Sequence, residues 1–443
     1  MKALFHGIRV LAGGVALMAL IVSPLKAQVV QGCIEGSPVK KAALGYYFGN
    51  KRLVADSVKL DAQGCFAYRG TKMRPGFYTF FLDTTHAFDF FYGGSPVSIT
   101  GSYTALRAVD FKDEDNIRFQ EFQNLGMVVQ RDFEAGALTA EQAQAAYAEK
   151  TTAWEQQNGG SRFGKLILAR NPMGTRTAVE PGGVEKWTYA FWQGQPLMDP
   201  AYFRSPFFQS AIELFFDKAI IQDPDTVVAS LSVFFDMPKD TAAQKFSVAF
   251  LTNKYETSNL MGHDKAFVWM VNRFYRTGYA IWEKPEALAK IIKKADDIGV
   301  NMIGLQAPDF GYLESTGRSR RLKEALGSYT LLVFYDATCG HCQENLPKFL
   351  ETHKKFAPKG LKTVAITNEL TLEEWKSFID KKGMLGVSGW SNGSDVATDR
   401  VTFRHYYHIP TTPTVLVLDA NHKIIAKALA PADLEDFLSK KLP

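Results

Sequence analysis

The residues best suited to chemistry are two cysteines with two residues between them, Cys339 and Cys342, in the segment ATCGHCQENLP. Two cysteines at this spacing can form a catalytic redox pair, half of a metal site, a haem attachment site or a structural disulfide. A c-type haem site requires histidine directly after the second cysteine, and position 343 is Gln. A zinc site requires a second close pair of ligands, and His405 with His408 lies in an aromatic segment, RHYYH, more typical of a helix end. We therefore predict no metal site and favour the redox pair.

The elements that position this pair are a strand before it and a helix after it. TLLVFY predicts a short buried strand, residues 341–356 an amphipathic helix, and LKTVAIT a second strand. A further helix begins at Thr371, where Glu374 completes a capping box. TVLVLD and KIIAKAL predict a β-hairpin, and Pro431 opens a last helix that runs through Leu442. The C-terminal region is therefore predicted to be an α/β domain.

The two thiols are expected to differ in reactivity. Cys339 follows a strand and opens a helix, so its sulfur meets unpaired backbone N–H groups and the positive end of the helix dipole. This arrangement lowers the pKa of a thiol from its free value near ~8.5. We predict that Cys339 is the exposed attacking thiolate and that Cys342, one turn further on, is the buried resolving thiol.

Several motifs occur in the order found in one family. They are APDF at 307–310, Gly317-Arg318, VFYDATCGHC, Pro347 in the helix, and Tyr407-x-Ile409-x-x-x-Pro413-Thr414 before the hairpin. Over about the last third of the chain, this order resembles the thioredoxin-like domain of exported thiol-disulfide oxidoreductases called TlpA- or ResA-like. The resemblance implies an oxidoreductase whose redox-active centre is a Cys339–Cys342 disulfide, with no other cofactor.

The resemblance also implies a substrate-binding loop before the hairpin. Pro413 would be the cis proline that faces the disulfide, and the Thr412 backbone would pair with an extended substrate beside Cys339. Pro410 is the competing choice, but it lies three residues too early relative to TVLVLD. In related oxidoreductases the two middle residues of the motif, here Gly340 and His341, tune the redox potential. A His near the thiolate would make the couple more oxidising; a solvent-exposed His341 without this effect is the alternative.

Two positions depart from the family pattern. Reducing thioredoxins carry a buried Asp where this chain has Val333, and many ResA-like proteins carry an acidic residue where it has Asn345. The proton acceptor for Cys342 is therefore either Glu344 or solvent. APDF also occurs in peroxiredoxins, but the residues around their active cysteine differ from those here, so peroxidase activity is not expected.

The N-terminus predicts export. Lys2 and Arg9 precede an apolar run from Val10 to Val22 that is shorter than the roughly 20 residues of a transmembrane helix, and Leu25-Lys26-Ala27 resembles a cleavage site. Residues 1–27 are predicted to be a signal peptide, with an uncleaved membrane anchor as the alternative. The mature protein is then periplasmic or otherwise extracytoplasmic, where disulfides persist.

Two further cysteines, Cys33 and Cys65, lie in the N-terminal region. Two strands of one small sheet bring Cα atoms within bridging range, so a structural disulfide is the favoured interpretation. Lipid modification of Cys33 and two free buried thiols are the alternatives.

The predicted fold is multidomain. Residues 28–105 show alternating segments such as GFYTFFLD between turns and predict an all-β antiparallel sheet or sandwich. Residues 106–298 carry apolar residues at three- and four-residue spacing and predict an all-α domain. Residues 299–443 form the thioredoxin-like α/β domain. The first two parts resemble the β-domain and the helical domain of unknown function that precede thioredoxin domains in exported proteins of the Bacteroidetes group.

The predicted partners are proteins. The formal charge of +5 is small for 443 residues and gives no reason to expect nucleic acid as a partner. We predict a reductase or isomerase that acts on exported cysteine-containing proteins and exchanges electrons with another thiol protein. The alternative is an envelope binding or scaffold protein whose thioredoxin fold serves as a dock.

Overall fold

The computed structural model describes residues 29–70, 73–170, 183–367, 371–394 and 403–442. The predicted signal peptide lies outside these residues. The chain divides into two compact units: one contains the residues up to Tyr46 together with Leu53–Tyr147, and the other contains Tyr47–Arg52 together with Ala148–Pro443. The predicted domain boundaries after residues 105 and 298 stay predictions. None of the described helices is both long and apolar enough to cross a membrane.

The N-terminal residues form two four-stranded sheets. The strands are β1 (Val29–Glu35), β2 (Lys41–Phe48), β3 (Lys51–Lys59), β4 (Cys65–Arg69), β5 (Gly76–Phe81), β6 (Ala87–Tyr92), β7 (Val97–Ser102) and β8 (Asp110–Phe111). One sheet has the order β4-β1-β7-β8 and the other β3-β2-β5-β6. Residues of both sheets, such as Ile34 and Phe80, are fully buried in one shared core, because alternate residues of a strand face the same side.

Helices dominate the described residues between 114 and 299. They are α1 (Glu114–Glu134), α2 (Ala140–Asn158), α3 (Arg162–Leu168), α4 (Gly183–Gln193), α5 (Pro200–Phe203), α6 (Phe207–Leu214), α7 (Pro224–Asp236), α8 (Thr241–Glu256), α9 (Asp264–Met270) and α10 (Pro285–Gly299). Asp223 and Asp240 accept hydrogen bonds from the first N–H groups of α7 and α8 and so define where these helices begin. α6 and α9 continue directly into π-helical turns at Phe215–Ala219 and Val271–Tyr275.

The C-terminal residues form an α/β domain around a seven-stranded mixed sheet. Its elements are β9 (Gly311–Glu314), β10 (Ser319–Arg321), β11 (Tyr329–Phe334), α11 (Gly340–Phe356), β12 (Leu361–Thr367), α12 (Leu372–Lys381), β13 (Trp390–Ser394), α13 (Phe403–Tyr407), β14 (Thr414–Asp419), β15 (Ile424–Lys427) and α14 (Pro431–Lys441). The strand order is β10-β9-β13-β12-β11-β14-β15, and β11 runs parallel to β12 and antiparallel to β14.

The central position of β11 explains its apolar sequence. Leu331 and Val333 face one core, which they share with α11, α12 and α14, whereas Leu332 and Phe334 face the core that contains α13. A strand covered by helices on both faces must be apolar on both faces. The predicted fold class, with an N-terminal all-β part, a central all-α part and a C-terminal thioredoxin-like α/β domain, is confirmed.

Candidate active site

The two cysteines lie at the junction of the central strand and the helix that follows it. Cys339 is the N-cap residue of α11, with extended backbone angles. Cys342 lies in the first turn of the same helix and is fully buried. Both thiols are free, and Cys339 is partly exposed. One sulfur is therefore accessible to a substrate, whereas the other is covered.

The start of the helix stabilises the thiolate of Cys339. Hydrogen bonding from the backbone N–H of Cys342 lowers the pKa of Cys339, and partial burial opposes this effect. The backbone N–H of His341 and the side chain of Thr412 lower the pKa further. These N–H groups belong to the first helical turn, which has no earlier carbonyls to bond. Burial raises the pKa of Cys342 to about 11, although the Asp336 N–H donates to its sulfur at 3.4 Å. At neutral pH, Cys339 is therefore the better nucleophile.

The loop before β14 faces the exposed thiol. The Thr412–Pro413 peptide bond is cis. The thiol of Cys339 donates to the backbone carbonyl of Thr412, with 3.5 Å between Sγ and O. Thr412 and Pro413 are partly exposed, as Cys339 is, whereas Pro410 is exposed three residues earlier. The structure therefore brings Thr412, whose peptide bond to Pro413 is cis, to Cys339.

The remaining predicted residues of the motif lie on the outer surface of α11. Gly340, His341 and Glu344 are all exposed. Residues two apart on a helix do not face each other, so Glu344 does not share the side of α11 that carries buried Cys342. The structure therefore does not bring Glu344 together with the thiol whose proton it was expected to take.

Three aromatic residues behind Cys342 were not predicted from the sequence. Tyr335 is fully buried, and its hydroxyl oxygen accepts a hydrogen bond from the indole N–H of Trp375 in α12, with 3.0 Å between the atoms. The ring of Phe378, one turn further along α12, stacks on Tyr335 at 5.9 Å between centroids. Burial raises the pKa of Tyr335, so this wall of the dithiol site is neutral.

Gln343 organises the first turn of α11, which the sequence also did not reveal. Its side-chain amide donates to the carbonyl of Ala337 at 2.9 Å, and its backbone N–H donates to the carbonyl of Cys339 at 3.0 Å. The backbone carbonyl of Gln343 lacks its usual donor, because Pro347 occupies the position four residues later and has no N–H. The ammonium group of Lys382 donates to that carbonyl instead, at 3.0 Å.

The other two cysteines form a disulfide within the N-terminal sheets. Cys33 of β1 lies opposite Cys65 of β4 in an antiparallel pair, and the two sulfurs are bonded. Among the residues that the structure describes, no group of three or more His, Cys, Asp or Glu side chains could hold a metal ion.

The class of protein that this fold and dithiol define is that of the thioredoxin-like thiol-disulfide oxidoreductases. Residues 303–427 match the AhpC/TSA family. The thiol-disulfide oxidoreductase ResA of Bacillus anthracis is 24% identical over 144 residues, which cover 32% of this chain and 79% of the relative. The thioredoxin-like protein YneN of Bacillus subtilis is 25% identical over 145 residues, with 32% and 76% of the two chains covered.

Solved structures show likeness to the same region. A domain of a possible thiol-disulfide isomerase from Cytophaga hutchinsonii is 36% identical, with a TM-score of 0.29, and the match covers 32% of this chain and 92% of that one. The thioredoxin domain of a thiol-disulfide oxidoreductase from Bacteroides vulgatus is 26% identical, with a TM-score of 0.28 and coverage of 32% and 98%.

The family match and the curated relatives confirm two predictions, the thioredoxin-like C-terminal domain and the oxidoreductase. They do not favour the alternative of a scaffold protein.

Proposed function

We propose that this chain is an exported thiol-disulfide oxidoreductase that exchanges disulfides with cysteine-containing proteins through Cys339 and Cys342. The observation that carries the proposal is the difference between the two thiols of one helical turn. Cys339 is accessible and has a lowered pKa, whereas Cys342 is buried and has a raised pKa. Such a pair suits sequential attack, first on the substrate and then on the mixed disulfide.

The exchange balances without a bound cofactor. The Cys339 thiolate attacks one sulfur of a substrate disulfide, the substrate S–S bond breaks, and the other sulfur leaves as a thiolate that takes a proton from water. Cys342 then gives its proton to solvent and attacks the Cys339 sulfur, which releases the second substrate thiolate and closes the Cys339–Cys342 disulfide. Two electrons pass to the substrate, and another thiol protein must return them.

The loop at Thr412 supports a polypeptide as the substrate. The Thr412 carbonyl lies 3.5 Å from the Cys339 sulfur and is partly exposed. An extended segment that pairs with the backbone at Thr412 would place its own cysteine beside Cys339, in the manner of an added β-strand.

The extracytoplasmic location is part of the proposal. The signal-peptide pattern of residues 1–27 supports it. The Cys33–Cys65 disulfide also supports it, because such bonds persist mainly in oxidising compartments.

Two active-site variants test the proposal. We expect Cys339→Ser to abolish both the reduction of insulin and the refolding of a scrambled disulfide protein. Cys342→Ser keeps the attacking thiol but cannot resolve the intermediate, so it should accumulate mixed disulfides that non-reducing gels detect. Insulin reduction and refolding that continue unchanged in Cys339→Ser would refute the proposal.

The redox potential tests the influence of His341 and indicates the direction of exchange. If His341 stabilises the reduced form, His341→Pro should make the Cys339–Cys342 couple more reducing in equilibrium with glutathione. An unchanged midpoint potential would assign His341 to the exposed surface without a tuning role.

A further inference from the structure

A buried polar network joins helical elements of the second unit to the segment that leads into Thr412. Asn301 follows α10 and is only 8% exposed. Its side-chain N–H donates to the backbone carbonyl of Tyr407, with 2.6 Å between Nδ2 and O. Its Oδ1 accepts from the ammonium group of Lys427, at the end of β15, at 2.7 Å. Lys427 also forms an ion pair with Asp264, the first residue of α9.

This network has one strongly favoured arrangement because its charges are largely removed from water. The side chains of Lys427 and Asp264 are 17% and 15% exposed. Separating a buried pair leaves an uncompensated charge, and moving Asn301 deprives both the Tyr407 carbonyl and the Lys427 ammonium of a partner. The network therefore fixes the backbone at Tyr407 relative to α9 and to the end of α10.

The next residue, His408, lies beside the same helix α10. The ring of His408 lies 3.8 Å from the carboxylate of Asp297 in α10, measured from Nδ1 to Oδ1. Asp297 also binds Lys293, one turn earlier in α10, at 2.6 Å. His408 has φ 43, a left-handed conformation that ends α13 and redirects the chain towards Pro413.

Only Ile409, Pro410 and Thr411 separate His408 from Thr412, and Ile409 is buried at 3% exposure. The Tyr407 ring is also fixed on the other side, where it packs against Phe334 of β11 at 5.2 Å between centroids. Tyr407 is therefore fixed from two sides, and with His408 it anchors the short segment that carries the Thr412 carbonyl to the Cys339 sulfur.

We propose that α9 and α10 are positioning elements for disulfide exchange with polypeptides. Their contacts through Asn301 and Asp297 position Tyr407 and His408. The Thr412 carbonyl is thereby placed where an extended substrate segment pairs with it. This inference rests on the proposed function. It gives the helical elements a role in binding protein substrates that a small disulfide does not require, because a small disulfide needs only the Cys339 sulfur.

The test compares a protein disulfide with a small one. Insulin serves as the polypeptide substrate, and dithiobis(nitrobenzoate) serves as the small disulfide. Asn301→Ala should lower kcat/KM for insulin about tenfold, the factor that corresponds to one lost hydrogen bond in the placement of the loop. Asp297→Asn, at a more exposed site, should lower it about two- to threefold. The rate with the small disulfide should stay within about twofold of wild type, since the first turn of α11 and its N–H groups are untouched.

Asp296→Asn is the matched control. It lies beside Asp297 on α10 and breaks a different ion pair, with Arg276, so its insulin kinetics should equal those of wild type. Unchanged insulin kinetics in a folded Asn301→Ala protein would overturn the inference. An equal loss with both substrates would also overturn it, because that result indicates a general effect on folding.

If Asn301→Ala does not fold, Asp297→Asn carries the same comparison and the same outcomes. A wild-type protein that reacts with neither substrate would instead refute the proposed function, so the two failures are distinguishable.

Discussion

The replacement of Lys382 by Met tests how the helix that carries both thiols tolerates its internal proline. Pro347 leaves the Gln343 carbonyl without the donor that the next turn normally supplies, and Lys382 donates to it at 3.0 Å. Lys382→Met removes the donor and keeps an aliphatic chain of similar length. A hydrogen bond contributes about 1 kcal/mol net. We therefore expect the free energy of opening the first turns of α11 to fall by about 1 kcal/mol.

The proline itself supplies the critical comparison. Pro347 is exposed, so Pro347→Ala should be accommodated, and the new N–H of the alanine would donate to Gln343 as in a regular helix. Lys382 then becomes dispensable. In the Pro347→Ala background we expect Lys382→Met to cost only about 0.3 kcal/mol or less, so the cycle of four proteins should show a coupling energy of about 0.7–1 kcal/mol.

Hydrogen exchange of the α11 amides, followed by mass spectrometry, is the assay, because it reports local opening in a chain of two units. Lys381→Met is the control, since Lys381 is the exposed neighbour at the end of α12. If Lys382→Met lowers the opening free energy by the same amount with Pro347 and with alanine at that position, Lys382 does not replace the missing donor to the Gln343 carbonyl, and the assignment is refuted.

Three further predictions concern thiol reactivity, acid stability and the N-terminal disulfide. In the reduced native protein, iodoacetamide should label Cys339 with a midpoint pH below about 8.5 and leave Cys342 unlabelled, as peptide mass mapping will show; equal labelling of both contradicts the assigned asymmetry. Burial lowers the pKa of fully buried His353, so the stability it contributes is present above its unfolded pKa near ~6.5 and is lost as pH falls through its lowered folded pKa. His353→Gln should therefore make the free energy of unfolding, measured in urea, fall less steeply as the pH decreases. An equally steep fall in the variant would contradict this cause. Replacing both Cys33 and Cys65 by Ser should lower the stability of the N-terminal sheets by about 4 kcal/mol, since the bond closes a loop with a sequence separation of 32; a loss of similar size in a protein with serine at both Cys339 and Cys342 would contradict it.

Short-range signals in the sequence predicted the local framework of the site. The capping box of Thr371 and Glu374 is present at the start of α12, and Pro431 begins α14. The apolar run of β11 and the helix after Cys339 occur where the sequence places them. Each of these features depends on residues within one helical turn or one strand, so the local chain carries enough information to specify it.

The central helices show where periodicity was insufficient. Apolar residues at three- and four-residue spacing predict helices in this region, but α6 and α9 change to π-helical turns, at Phe215–Ala219 and Val271–Tyr275. Apolar spacing indicates which side of a helix is buried. It does not indicate where an extra residue is accommodated in a turn, because that depends on the surfaces against which the helix packs.

The sequence by itself predicted the thioredoxin-like domain, through motifs that resemble that family, and it placed Cys339 and Cys342 at the start of a helix, because a strand end and a helix start are local features. Only the tertiary structure decided what holds the site in place. Lys382 donates to a carbonyl 39 residues away, and Asn301 donates to one 106 residues away. The chain contains many lysines and asparagines that look equivalent in the sequence. Which of them reaches an unpaired carbonyl is set by how distant elements pack, because a hydrogen bond forms only within about 3 Å of its acceptor.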